Sequence, residues 1–325
     1  MTSTSFQMFF KHSPCILGEG AVIERLRRDT DFELDPHIVN SAFIYDESKR
    51  AALEAIYRQY LDIGRQYDLP LILSTPTGRA SQERIAEAGY AQSDVNRDNF
   101  GFLDTLRTSY GRYAGKVAIC GLMSCRGDAY DPDQHLPAIE AHAFHTWQAE
   151  RLSEAGVDFL LAATLPALDE AIGLSAAMAA TGMPYIISFV ARSEGTLIDG
   201  TPLKDAIEKI DAAGSPKPLA YIVNCTHASI FREALQHDEN SSARVRSRIR
   251  GLLANTAALK PEDLDNSEHL VAEAPETFGQ AVGDLNKDLG MKILGGCCGT
   301  DDRHIRQLAK RLAALTTTDP CISGG

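Results

Sequence analysis

The sequence lacks the features that mark several large classes of protein. It has no surplus of basic residues, because 32 lysines and arginines face 44 aspartates and glutamates, which gives a net charge of −12. Such a charge repels phosphate backbones and anionic membrane surfaces, so we expect neither nucleic acid nor a membrane as a partner. No apolar run approaches the roughly 18 residues that a membrane-spanning helix needs.

The sequence also lacks the signs of an exported, disulfide-linked protein. Its first residues, MTSTSFQMFFKHSPCIL, do not follow the basic, apolar and small-residue order of a secretory signal. Its seven cysteines are odd in number and scattered along the chain, which argues against a disulfide framework. We therefore expect a cytoplasmic protein with reduced thiols, some of which are reactive.

Short apolar segments alternate with segments of helical spacing, and this pattern predicts the fold class. Most of the apolar segments are continuous, as in parallel strands that are buried on both faces. Alternation of eight such strands with helices favours a single-domain (β/α)8 TIM barrel over residues 1–325, with a loose tail at 316–325. An open, doubly wound sheet is the alternative. The predicted strands span 14–21, 70–75, 116–123, 157–164, 184–191, 218–226, 248–256 and 291–298, and the clearest helical segments span 51–67, 136–155, 168–181 and 302–315.

Three cysteines stand at the ends of predicted strands. Cys225 ends the sixth strand, and Cys297 and Cys298 end the eighth. The active site of a β/α barrel forms at the carboxyl ends of its strands, so the three thiols should face one mouth. Neighbouring residues on a regular strand point to opposite faces, and the flanking Gly296 and Gly299 would permit the bend that brings Cys297 and Cys298 together.

Three thiolates in one place favour Zn²⁺ with an open fourth position, which is typical of a catalytic site. The net charge of −1 makes such a site a weak activator of water, but it can bind an incoming thiol and keep its sulfur nucleophilic. We therefore predict that Cys225, Cys297 and Cys298 are both metal ligands and catalytic residues in an alkyl transfer to sulfur. A hydrolytic metalloenzyme and a non-enzymatic zinc or thiol redox sensor are the alternatives.

Two motifs resemble those of the homocysteine S-methyltransferases. They are Asn224-Cys225-Thr226-His227 and Gly295-Gly296-Cys297-Cys298-Gly299-Thr300, with weaker support from Asp199-Gly200-Thr201-Pro202. The resemblance implies a zinc-bearing β/α barrel in which the three cysteines are the metal ligands. It also implies transfer of a methyl group from a sulfonium or quaternary ammonium donor to a small-molecule thiol, usually homocysteine, to give methionine.

The sequence departs from the family pattern where the substrate is recognised. Glu19-Gly20 stands in place of an Asp-Gly pair, and Ala163-Thr164 stands in place of a Glu-Thr pair. Thr75-Pro76-Thr77, followed by Arg79, replaces Thr-Asn-Thr. A different thiol acceptor that carries an anionic group is therefore an alternative to homocysteine. The candidate substrate-binding residues are Glu19, Gly20, Thr75, Thr77, Arg79, Thr164 and Asn224.

Aromatic side chains are the natural contacts for a cationic methyl donor. By their approximate position in the predicted barrel, the candidates are Tyr130, Trp147, Phe189 and Tyr221. The sequence leaves open which donor is used and whether the chain forms a homo-oligomer.

Overall fold

A closed barrel of eight parallel strands forms the centre of the molecule, in a computed structural model that describes residues 3–259 and 273–317. Each strand pairs with the next along the chain, and the last pairs with the first. The predicted (β/α)8 barrel is therefore confirmed. The alternative of an open sheet is wrong, because the eight strands form a closed ring. The strands are β1 (Ile16–Gly18), β2 (Leu71–Ser74), β3 (Val117–Ser124), β4 (Phe159–Leu165), β5 (Tyr185–Phe189), β6 (Ala220–Thr226), β7 (Ile249–Ala254) and β8 (Ile293–Gly296).

Helices surround the barrel, and none of those described is both long and apolar enough to cross a membrane. The last helix includes the first two residues of the predicted tail, and residues 318–325 lie outside the described part of the chain. The described helices are α1 (Ser3–His12), α2 (Ile23–Asp29), α3 (Glu47–Gln66), α4 (Gln82–Glu87), α5 (Val95–Thr108), α6 (Ala138–Ala155), α7 (Leu168–Ala180), α8 (Leu203–Ala213), α9 (Ala228–Gln236), α10 (Ala243–Arg248), α11 (Pro275–Leu289) and α12 (Asp302–Thr317).

The hydrophobic core has two layers, which explains why the strands are apolar without alternation. One layer fills the barrel interior and includes Ile72, Leu161 and Ile222. The other lies between the barrel and the helices and includes Leu73 and Val223. Because successive strand residues point into different layers, every position of β2, β5, β6 and β8 is buried.

Helix α1 closes the amino-terminal end of the barrel, a feature that the sequence patterns did not predict. Phe6 is 0% exposed and stacks on Phe159, the first residue of β4, with 3.9 Å between ring centroids. Phe10 joins the same interior cluster. With this end sealed by aromatic side chains, the opposite, carboxyl end of the strands is where a cavity forms.

Candidate metal centre and active site

The three predicted metal ligands converge at the carboxyl end of the barrel. The sulfur atoms of Cys225, Cys297 and Cys298 all lie within 4.8 Å of one another. The two sulfurs of the adjacent pair are 4.0 Å apart. All six cysteines in the described residues are free thiols.

A tight turn after β8 brings Cys297 and Cys298 to the same side. The N–H of Thr300 donates to the carbonyl of Cys297, and Gly299 has a φ of 82°. A Cβ atom at position 299 would lie 1.9 Å from Oγ1 of Thr256. Position 299 therefore requires glycine for its backbone angle and for its close approach to Thr256.

Cys225 reaches the cluster because β6 is irregular at its end. Its φ is 50°, a left-handed conformation that is uncommon for residues other than glycine. The pairing of β6 with β7 shifts register between Asn224 and Thr226. Thr164, near the end of β4, also has a positive φ, of 60°, beside a register shift in that strand. Strained residues of this kind collect at functional sites.

Asn224 connects these two strained positions. Its Nδ2 donates to Oγ1 of Thr164 at 2.7 Å and lies 3.3 Å from the sulfur of Cys225. Its Oδ1 accepts from the N–H of Thr164 at 2.8 Å and from the hydroxyl of Ser188 at 2.6 Å. Asn224 is thus a buried link between three strands that orients the Cys225 side chain.

The chemistry of the three thiols fits a bound cation. Hydrogen bonding to Cys297 lowers the pKa of Cys225, but hydrogen bonding to Cys298 and burial outweigh it, so the pKa is raised above its ordinary value. A nearby positive charge is what would hold all three as thiolates. Tetrahedral zinc with Zn–S bonds of about 2.3 Å places sulfurs about 3.8 Å apart, so the observed spacing needs only a small contraction.

A cavity of about 670 Å³ lies above the three sulfurs. Of the seven predicted substrate-binding residues, five line it. Thr77 and Arg79 do not. The five are Glu19, Gly20, Thr75, Thr164 and Asn224.

Glu19 places a carboxyl group in the wall of this cavity. It follows β1, and its Oε2 accepts a hydrogen bond from the N–H of Ser74 at 3.2 Å. Burial raises the pKa of Glu19 to about 8, against the opposing effect of that hydrogen bond. The neighbouring Gly20 has no room for a side chain, since a Cβ would lie 2.8 Å from the hydroxyl of Tyr60.

The hydroxyl groups of Thr75 and Thr77 are occupied by the protein itself. The two oxygens lie 2.6 Å apart. Thr75 Oγ1 accepts from the N–H of Leu122 at 3.0 Å, and Thr77 donates to the carbonyl of Leu122 at 2.8 Å. Both side chains therefore hold β3 beside the end of β2, and Thr77 is completely buried.

Arg79 lines an adjoining cavity of about 1340 Å³. The two cavities share Arg27, Tyr130 and Thr164 in their walls. Arg79 donates to the carbonyl of Gly127 at 2.6 Å, and Arg84 donates to the carbonyl of Arg126 at 3.0 Å. In the described part of the chain neither Arg79 nor Arg84 forms an ion pair, although carboxylates such as Glu83, Glu87 and Asp128 also line this cavity.

Asn255 is a cavity residue that the sequence analysis missed. It follows β7, is 2% exposed and lines the same cavity as the sulfurs. Its Oδ1 has no hydrogen-bond partner among the described residues. A buried amide oxygen without a partner is costly unless a ligand supplies one. The available signal was its position directly after an apolar strand of the barrel.

Tyr130 is the aromatic candidate that reaches the sulfurs. It lines the same cavity as Cys225, whose charge, together with burial, raises the pKa of Tyr130. Phe189 and Tyr221 instead stack on each other in the core, both 0% exposed. Trp147 packs in a separate cluster with residues such as Ile38.

Comparisons with known proteins identify the family of this chain. The family model described as homocysteine S-methyltransferase matches residues 16–312. The homocysteine S-methyltransferase of Escherichia coli (strain K12) is 30% identical over 207 residues, which cover 61% of this chain and 62% of that protein. Homocysteine S-methyltransferase YbgG of Bacillus subtilis (strain 168) is 26% identical over 252 residues, 74% of each chain.

Solved structures show the same fold. The crystal structure of the homocysteine methyltransferase MmuM from Escherichia coli in its oxidized form has a TM-score of 0.74 at 22% identity, covering 94% of this chain and 99% of that one. Its metallated form has a TM-score of 0.72 at 20% identity over the same shares of the two chains. Because the family model extends over nearly all of the barrel, the chain belongs to the homocysteine S-methyltransferase family of enzymes.

Proposed function

We propose that this enzyme transfers a methyl group from an onium donor to the thiol of homocysteine, with zinc held by Cys225, Cys297 and Cys298. The observation that carries the proposal is the convergence of three sulfurs beneath a cavity whose wall contains an ionisable carboxyl group. We also place the enzyme in the cytoplasm, where cysteines remain reduced.

The metal-binding residues would work as a unit with Asn224. Zinc, when bound, supplies a position at which an incoming thiol loses its proton near neutral pH and remains nucleophilic. Asn224 directs its Nδ2 toward the sulfur of Cys225 and so stabilises that side chain as a thiolate. The metallated form of the E. coli relative supports a metal in this site.

The ammonium group of the acceptor would bind at Glu19. Because burial raises the pKa of Glu19 to about 8, its carboxyl group is largely protonated near neutral pH in the absence of a partner. A nearby ammonium favours the charged carboxylate, so binding and ionisation are coupled. Oδ1 of Asn255, which has no partner among the described residues, provides a second hydrogen-bond acceptor for the ammonium group in the same wall. Ala163, in that wall, lacks the carboxylate that is usual in the family.

The donor would approach from the adjoining cavity, past Tyr130. The acceptor sulfur attacks the methyl carbon as the bond from that carbon to the onium atom breaks. The departing donor keeps the electron pair and becomes neutral. Arg79 and Arg84, which line the adjoining cavity, would bind an anionic group on the donor.

A different thiol acceptor is the second candidate function. It is favoured by the absence of a carboxylate at Ala163 and by the positive charge at Arg79, in a neighbouring cavity. A redox sensor would need no substrate cavity above its thiols. A hydrolase that activates water would use His or Asp ligands, whereas the metal-binding cluster in the described residues consists of cysteines alone.

The test is a methyl-transfer assay with purified, reduced protein. Homocysteine and other thiols are offered with S-methylmethionine, S-adenosylmethionine or a betaine, and the methylated product is measured by mass spectrometry with and without chelator. We expect methionine from homocysteine and loss of turnover with chelator. Turnover that survives both chelator and Cys298→Ala would refute the mechanism. If the enzyme turns over another thiol faster than homocysteine, that thiol is the acceptor and homocysteine is not.

A further inference from the structure

The connection between β3 and α6 covers the metal centre, and we call its residues 126–136 the Tyr130 loop. Tyr130 lines both cavities, so it stands at the border between them. Cys225 lines the first of these cavities as well. The conformation of this loop therefore sets the position of Tyr130 relative to Cys225.

Both ends of the Tyr130 loop are attached to one carboxylate. Glu170, on α7, accepts a hydrogen bond from the N–H of Arg126 at 2.6 Å. The same side chain accepts from the N–H of Leu136 at 3.3 Å. A single side chain thus closes the base of the loop by binding its first and last main-chain groups.

The attachment is buried and charged. Glu170 is 0% exposed, and Nε2 of His145, on α6, lies 3.0 Å from its Oε1. Burial alone would raise the pKa of Glu170, but hydrogen bonds from His145 and from the loop N–H groups outweigh it and lower the pKa. Glu170 is therefore ionised, and hydrogen bonds to a charged acceptor of this kind are among the stronger ones in proteins.

The loop is also cross-linked within itself. The carboxylate of Asp128 accepts from the N–H of Tyr130 at 2.9 Å. The side chain of Gln134 accepts from the N–H of Asp128 at 3.2 Å and donates to Asp131 at 2.8 Å. Because these contacts join the interior of the loop, a change at its base is transmitted to Tyr130.

We propose that Glu170, supported by His145, is a positioning residue that holds Tyr130 at the border between the sulfur site and the adjoining cavity and so limits access to Cys225. The effect of Glu170 on turnover rests on the proposed function, whereas its effect on the Tyr130 loop does not. The two effects can be measured separately.

The experiment compares full-length wild type with Glu170→Gln, which keeps the size of the side chain but removes its charge and one acceptor. Alkylation of Cys225 by iodoacetamide is followed by mass spectrometry after chelation. We expect the rate to rise about 10-fold, because buried hydrogen bonds that hold the loop closed are lost. Tyr130→Ala, which removes the ring at the border of the two cavities, should raise it as well, and the double variant should show less than the product of the two effects.

Asp158→Asn is the matched control. Asp158 is another buried carboxylate that accepts from a main-chain N–H, that of Ile119 at 2.7 Å, but it lies at the start of β4, away from the loop. We expect it to lower stability without changing the alkylation rate of Cys225. His145→Gln is a second, milder variant. If Glu170→Gln does not fold, the alkylation rate of Cys225 in His145→Gln tests the inference.

The outcomes are distinct. If the Glu170 and His145 variants fold and Cys225 reacts at the wild-type rate, or if the buried Cys15 and Cys120 become reactive to the same degree, the inference is wrong. In the zinc-loaded enzyme we expect kcat to fall about 10-fold or more with a KM for homocysteine close to wild type. Faster alkylation in a protein without methyl transfer would support the loop inference and refute the proposed function.

Discussion

Asn224 and Thr164 form a two-way hydrogen-bonded pair between β6 and β4, in which each residue both donates to and accepts from the other. Nδ2 of Asn224 donates to Oγ1 of Thr164 at 2.7 Å, and the N–H of Thr164 donates back to Oδ1 at 2.8 Å. Thr164 and Cys225, the residue after Asn224, both have positive φ angles. The pair therefore holds two strained backbone segments in the conformation that presents Cys225 to the other two sulfurs.

Replacement of Asn224 by alanine should weaken metal binding. The variant leaves the N–H of Thr164 without its partner and removes the donor to Cys225, so we expect zinc affinity to fall about 10- to 100-fold. Competition with a chelating dye measures the zinc affinity. Ser188→Ala removes a single hydrogen bond to the same Oδ1 and is the matched control, with a much smaller loss. Equal affinities for Asn224→Ala and wild type would contradict this role.

Cys298→Ala should abolish methyl transfer. Loss of a direct ligand should cost more than the roughly 100-fold that supporting residues of metal sites typically contribute. Zinc content by elemental analysis and kcat/KM are the measurements. Cys15→Ala is the control, because Cys15 is completely buried and lies outside both cavities. It should lower stability and leave zinc content unchanged.

Glu19→Gln should raise the KM for homocysteine about 10- to 100-fold, because a charged hydrogen bond to the substrate ammonium is lost. In the wild type, this KM should fall as pH rises through about 8, where Glu19 ionises. The variant should lack that dependence. Initial rates between pH 6.5 and 9 measure it, and an identical pH profile for the two proteins would exclude Glu19 from acceptor binding.

The same carboxyl group should affect stability with pH. Its pKa is raised from 4.5 to about 8 on folding. Between these values the folded state binds a proton that the unfolded state has released, so this contribution to stability is present below 4.5 and is lost as pH rises to about 8. Glu19→Gln should therefore lose less thermal stability than the wild type between pH 5 and 8, as measured by Tm without metal.

Arg79→Ala should raise the KM for a methyl donor that carries a carboxylate, by about 10-fold, and leave the KM for homocysteine nearly unchanged. Arg79 also donates a hydrogen bond to the carbonyl of Gly127, so an effect of the variant on the loop must be distinguished from an effect on donor binding. A methyl donor without an anionic group is the control substrate. If its KM rises as much, Arg79 supports the loop and does not recognise the donor.

Phe6→Ala should destabilise the barrel, since the ring is buried and stacked on Phe159. Removal of a buried phenylalanine costs about 3 to 5 kcal/mol. Met8→Ala, on the same helix but with a side chain 49% exposed, should change the free energy of unfolding by less than about 0.5 kcal/mol. Denaturant unfolding measures both, and equal effects would show that α1 does not seal the barrel.

The sequence by itself determined the barrel and the cysteine cluster. Both depend on local signals: apolar segments of strand length, helical spacing between them, and cysteines such as Cys225 placed directly at strand ends. Once parallel strands close into a ring, the ends of β6 and β8 must face the same mouth. The placement of the three cysteines at one mouth therefore follows from the order of residues along the chain, whereas the close approach of their sulfurs also needs the irregular end of β6.

Only the tertiary structure decided which side chains face the cavity above the three sulfurs. Thr77 and Arg79 lie close to Thr75 in sequence, yet one is buried against β3 and the other lines a different cavity. The partners of Glu170 and the unpartnered oxygen of Asn255 were likewise invisible in the sequence. These relationships join residues that are distant along the chain through loops, whose paths depend on side-chain contacts and not on any repeating apolar pattern.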